Sequence, residues 1–134
     1  ELVSDKNILR TTSKQKKRKG QAKFRKNVLS AYGNKCAISI SNINEVLEGA
    51  HIQTYINETS NHIQNGICLR SDLHRLFDNG LITVDSNFKI KISKILIKSS
   101  YQKYNSKQII LPENVSKQPS KEALRYHNTN IFRE

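Results

Sequence analysis

Asn65-Gly66-Ile67-Cys68-Leu69-Arg70-Ser71-Asp72-Leu73-His74-Arg75-Leu76-Phe77-Asp78-Asn79-Gly80-Leu81-Ile82 decides the fold of this chain. Ile67-Cys68-Leu69 is a short apolar run of the kind that forms a buried strand. Ser71 or Asp72 then caps a helix over 71–78, with acid in its first turn where the helix dipole favours it. Asn79-Gly80 stops that helix. On it, Leu73, Leu76 and Phe77 point one way, into a core. His74 and Asp78 stack on the neighbouring face at i, i+4, a relation that lets two side chains grip one ion. An imidazole and a carboxylate suit a borderline divalent cation.

Upstream, an extended segment over 45–52 ends at Gly49-Ala50-His51-Ile52. A long loop rich in Asn, Thr and Ser follows over 53–65; such loops are uncommon in small domains and are often functional. Before these lie a helix over 21–32, with Phe24, Val28 and Leu29 as its apolar stripe, and an alternating segment over 35–40 that predicts a strand. Downstream, 81–84 and 88–92 predict a hairpin over Asp85-Ser86-Asn87, which Ile95 and Ile97 would extend. Tyr101, Tyr104 and Ile109-Ile110-Leu111 supply apolar cover, and a last helix spans 120–128. The fold class is α+β.

The chain has 134 residues, enough for one core and not for two. No apolar run approaches the ~20 residues of a membrane span, so a membrane partner is not expected. Two cysteines exclude a disulfide scaffold, and a polar, basic N-terminus is unlike a signal peptide, so a reducing, cytoplasmic setting is expected. Glu1 rather than Met at the start leaves room for a sensor or specificity domain before residue 1. The formal net charge is +12, and residues 1–26 carry +8 of it through ten basic and two acidic side chains. A basic arm over 1–19 with Lys16, Lys17, Arg18 and Lys19, continued by Lys23 and Arg25, suits a polyanion, because each neutralised phosphate releases counterions. A solvated tail is the plainer reading of the same charges.

The order His51, Asn65, His74, with Glu48-Gly49-Ala50-His51-Ile52 before and the quoted stretch after, resembles the HNH nucleases, in particular a branch common among bacterial restriction and defence nucleases. Gly20-Gln21-Ala22-Lys23-Phe24-Arg25, Cys36-Ala37-Ile38-Ser39 and Leu124-Arg125-Tyr126-His127 also resemble that branch, so the likeness covers about residues 20–131. The resemblance implies a ββα-metal finger with flanking helices and a hairpin, and a nuclease domain over 20–134. It implies a metal-dependent endonuclease acting on DNA, with 5′ phosphate and 3′ hydroxyl products. By resemblance His51 is the general base, Asn65 fixes the loop and orients the His51 ring, and His74 with Asp78 holds the ion. Mg²⁺ or Mn²⁺ is expected, with Zn²⁺ or Ni²⁺ as alternatives. Arg70 and Arg75 are candidates for phosphate contact, since a guanidinium grips phosphate with two bonds. Cutting both strands takes two sites or two visits, which admits a homodimer.

Two departures from the pattern stand out. Ala50 occupies the place where many HNH nucleases carry another metal ligand, so Glu48 or His62 would have to reach in. The Cys-x-x-Cys pairs that hold structural zinc in many members are halved to Cys36 with Ser39 and Cys68 with Ser71. Ser is a poor zinc ligand beside thiolate, so no structural zinc is expected, and apolar packing of Cys36, Ile38, Ile67, Cys68 and Phe77 would take its place. The alternatives are a non-catalytic nucleic-acid-binding module with a degenerate finger, or an RNA-binding protein of ribosomal type.

Overall fold

The computed structural model describes residues 19–134. The expected arm, with Lys16, Lys17 and Arg18, lies outside the described residues; Lys19 is exposed on a helix, α1, described over 19–31. Strand β1 (Leu47–His51) pairs antiparallel with β2 (Gly66–Arg70), in a register that sets Leu47 opposite Arg70 and His51 opposite Gly66. Helix α2 (Ser71–Asp78) follows β2 directly, completing a ββα finger. A second antiparallel pair, β3 (Ile82–Val84) and β4 (Ile90–Ile92), forms the hairpin. Helix α3 (Lys121–Asn130) closes the chain, its first turn capped by Ser120.

One core ties these elements together. Phe24 and Val28 of α1, Ile67 and Leu69 of β2, Leu73 and Phe77 of α2, Ile82 and Val84 of β3 and Leu124 of α3 are all buried in it. Burial of a large aliphatic or aromatic side chain contributes about 1.5–3 kcal/mol, so these residues hold the finger in place. Gly66 is there because of that core. A Cβ on it would meet Phe24 Cζ at 2.9 Å, and Val28 Cγ2 closer still.

Two local expectations are corrected. No strand forms over 35–40. The chain turns there, with Ile40 N–H bonded to Cys36 O at 3.0 Å and Ile40 at a φ of 66°. The turn encloses a sulfur: Cys36 Sγ accepts the N–H groups of Ser39 and Arg70, both at 3.3 Å. Cys36, Ala37 and Ile38 are buried in succession, which a half-exposed strand does not permit. Ile95 and Ile97 do not extend the hairpin either. Ser93 N–H bonds Leu81 O, its hydroxyl accepts Ile95 N–H, and the chain enters a 3-10 turn over Lys94–Leu96 with both isoleucines exposed. The segment that lies beside β4 comes later: Ile90 N–H bonds Lys107 O, Ser106 N–H bonds Ile90 O, and Lys89 bridges Gln108.

Candidate active site

His51 stands at the last position of β1, where the sheet gives way to the long loop. Three neighbours fix its ring. Phe24 stacks on it from α1, with centroids 4.1 Å apart and planes 2° from parallel. Tyr55 meets it edge-on at 5.7 Å. Nε2 lies 2.8 Å from Asn61 Oδ1. The polar partner of the ring is thus Asn61, and the expectation that Asn65 plays that part is corrected. Asn65 works on the backbone: its Oδ1 accepts Gln53 N–H (2.9 Å), and its Nδ2 donates to Gln53 O (3.1 Å) and Ser60 O (2.9 Å). It therefore staples both ends of the loop just beyond His51.

His74 is gripped at both ring nitrogens. Nδ1 is 2.6 Å from Glu48 Oε1, and Nε2 is 3.1 Å from Asp78 Oδ2. Partial burial opposes its charge, yet the hydrogen bonds and charges of Asp78 and Glu48 prevail and hold the imidazole above its ordinary value. Glu48 and Ala50 are two residues apart on β1 and so point to one face of the sheet. Ala50 is fully buried, and Glu48 is the carboxylate available on that face.

The donor set can be tested for an ion. Adjacent ligands of a six-coordinate cation with bonds of ~2.1 Å stand ~3 Å apart. His74 Nε2 and Asp78 Oδ2 have that separation, and Asp78 is half exposed and accessible. Glu48 takes the other nitrogen, the outer carboxylate contact that fixes the tautomer of a metal-bound imidazole. Among the described residues no group of three or more His, Cys, Asp or Glu is placed to hold an ion, so the protein offers two ligands here. Two ligands fit a cation that keeps its waters and leans on phosphate, as Mg²⁺ does. They do not fit a closed four-ligand zinc site. His62 is committed elsewhere: its ring accepts Gln64 N–H.

His51, His74 and Asp78 line one cleft of about 320 Å³, floored by His127. A second cleft of about 570 Å³ on the other side of His74 holds Glu48, Asp72, Arg75 and Asp78. Exposed Arg75 therefore stands beside the carboxylates. The other predicted phosphate contacts fare differently. Arg25 donates to Leu47 O and Asn44 O and clamps the start of β1. Arg70 forms a two-bond pair with Asp72 at 2.6 and 2.9 Å, and its hydrogen bond, joined by that of Tyr101, holds Asp72 down at about 2. Lys23 is exposed on α1. The halved zinc pairs are packed: Cys36, Ile38, Ile67, Cys68 and Phe77 are all buried, and burial with the neighbouring Cys36 pushes the Cys68 thiol up to about 12.

Sequence reading missed Asn61 and the stacking of Phe24 on His51. No local pattern marks either, because both contacts cross between elements. Three comparisons bear on this geometry. Residues 36–85 match the model of a family described as HNH endonuclease. Among solved structures, a modification-dependent TagI restriction endonuclease superposes with a TM-score of 0.56 at 20% identity, over 82% of this chain and 38% of that one. The likeness is one of fold, and the chain spans well under half of that protein. No curated protein sequence matches the chain.

Proposed function

We propose, for a chain whose residues 36–85 match the HNH endonuclease family, a divalent-metal-dependent hydrolysis of DNA phosphodiester bonds. The observation that carries this reading is the meeting of His51 with the His74–Asp78 pair in one cleft. His51 takes a proton from water, the water oxygen bonds to phosphorus, and the bond to the 3′ oxygen breaks; that oxygen takes a proton from solvent, giving a 5′ phosphate and a 3′ hydroxyl. Phe24 and Asn61 hold the His51 ring in one plane, and Asn65 keeps the loop behind it from drifting. His74 and Asp78 hold the ion, and Glu48 points the His74 lone pair at it. A divalent cation so held supplies charge stabilisation at the phosphate and the departing oxygen. Arg75 and the basic segment before residue 20 grip neighbouring phosphates.

The fold likeness to a restriction endonuclease supports a place in restriction or defence against foreign DNA, inside the cytoplasm, where such DNA arrives. No described helix is long and apolar enough to cross a membrane. The test is nicking of supercoiled plasmid in Mg²⁺ or Mn²⁺. Wild type nicks, EDTA stops it, and His51→Ala loses at least a hundredfold in rate. DNA binding with no cleavage in any divalent salt overturns the enzyme and leaves a binding module.

A further inference from the structure

Beside the cleft that holds His51 lies a larger groove of about 510 Å³, between the 53–65 loop and the start of α3. Thr54 lines both, so the two are neighbours that share one wall residue. The groove differs in chemistry from the clefts around His74. None of its twelve lining residues is Lys, Arg, Asp or Glu, although a quarter of the chain is charged. A wall without cations has no pull on phosphate. A wall of amides and hydroxyls suits a neutral ring that donates and accepts hydrogen bonds.

The side chains divide into two groups. Asn57, Ser60, Asn65 and Ser120 are spent on the chain's own backbone. The Gln53 amide, the Thr54 hydroxyl and the Tyr126 phenol have no partner among the described residues. Tyr126 is 45% exposed and Ile56 83% exposed, and neither carries a ring or cation contact among the described residues. The wall is also firm, since Asn65 bonds both the N–H and the C=O of Gln53.

We propose that this groove receives a nucleobase of the strand whose phosphate lies in the His51 cleft, stacked on Tyr126 and hydrogen-bonded by Gln53 and Thr54. The volume suits one nucleotide, and the shared Thr54 puts the groove close enough to the His51 cleft for its occupant to be a nucleoside flanking the cut. The groove would thus give the enzyme a base preference at the flanking position. The inference rests on reading the neighbouring cleft as a nuclease site.

The test needs no cleavage. In EDTA, the affinity of the protein for a fluorescent eight-nucleotide thymidine oligomer is compared with that for an abasic octamer of the same backbone. Stacking of one base on an aromatic ring predicts about tenfold tighter binding of the oligomer that carries bases. Tyr126→Ala and Gln53→Ala replace exposed side chains outside the core, and thermal melts check their folding. Loss of the tenfold ratio in either variant, with abasic binding unchanged, supports the groove as a base site. Equal binding of the two octamers by wild type, or a ratio that survives in both variants, overturns it. Failure of the nuclease reading is separate, because it leaves the ratio intact while plasmid stays uncut in Mg²⁺ and Mn²⁺.

Discussion

The substitution Gly66→Ala probes how the core aims the proposed general base, His51. Gly66 sits opposite His51 with φ −120° and ψ 146°, backbone that any residue adopts, so the change carries no dihedral strain. The cost is steric. The new methyl stands 2.9 Å from Phe24 Cζ, where carbon atoms prefer about 3.5 Å or more, and it overlaps Val28 as well. Overpacking of this kind costs about 1–3 kcal/mol, offset by about 0.4–1 kcal/mol from the smaller entropy of the unfolded chain. A net loss of about 1–2 kcal/mol lowers Tm by about 4–8 °C in a domain of this size. Phe24 has to give by about 0.5 Å, and its ring lies flat on His51 at 4.1 Å. Misplacing a reacting group by 1 Å costs about a hundredfold, so half of that costs about tenfold in nicking rate at 25 °C, well below the melt. Calorimetry and plasmid nicking read the two effects. Adding Val28→Ala removes one clashing methyl, and the double variant is expected to be more stable than additivity allows by at least ~1 kcal/mol. A Gly66→Ala protein that melts within 1 °C of wild type and nicks at the same rate refutes the link between core and base.

Glu48→Gln keeps an acceptor for His74 Nδ1 and removes its charge; calorimetric titration with Mn²⁺ is expected to show about tenfold weaker binding, and unchanged affinity would place Glu48 outside the site. His127 donates from Nε2 to Phe77 O (2.9 Å) and accepts at Nδ1 from the Thr83 hydroxyl (2.7 Å), and burial keeps it neutral and below its ordinary value. Its depressed folded value means that stability is full above about 6.5 and drains as pH falls through the folded value. Thermal melts from about pH 8 to 5 should therefore decline less steeply in His127→Gln, whereas parallel slopes would assign the acid sensitivity elsewhere. Ser39→Cys with Ser71→Cys completes two Cys-x-x-Cys pairs around a turn whose N–H groups already face Cys36 sulfur. The double variant should retain about one zinc per chain after dialysis and melt higher, and a metal-free product would show that the turn cannot close round an ion.

The finger was legible because its signals are local. Apolar Ile67-Cys68-Leu69 and Asn79-Gly80 act over a few residues, and β2 and α2 follow them closely; the side-chain cap expected from Ser71 or Asp72 does not form, because the helix starts at Ser71 with Arg70 at the capping position. The hairpin was legible for the same reason. Periodicity failed where a side chain's partner lies far along the chain. Cys36, Ile38 and Ile40 recur at every second position as in a strand, yet Cys36 sulfur accepts the backbone N–H of Arg70 on β2 from within a turn. Charge counting is blind to such partners: Arg25 and Arg70 add to the +12, and in the fold one bonds carbonyls of its own chain and the other pairs with Asp72.

Ala50 shows how far such long-range partners can rebuild a site. Read in sequence, a missing ligand before His51 weakens the case for an ion. In the fold, Glu48 lies one pleat earlier on the same face and bonds His74 at the nitrogen turned away from Asp78. The carboxylate that β1 sends to that face thus acts through the imidazole. On the proposed reading the protein would supply two ligands and leave the remaining positions to water and phosphate. On that reading, an ion held so loosely would bind best with DNA present, and DNA with the ion present, because the two would share a phosphate oxygen and such coupling is reciprocal. The strong positive charge of the chain fits that arrangement, since it would draw the phosphate backbone to a site whose cation the protein alone would hold weakly.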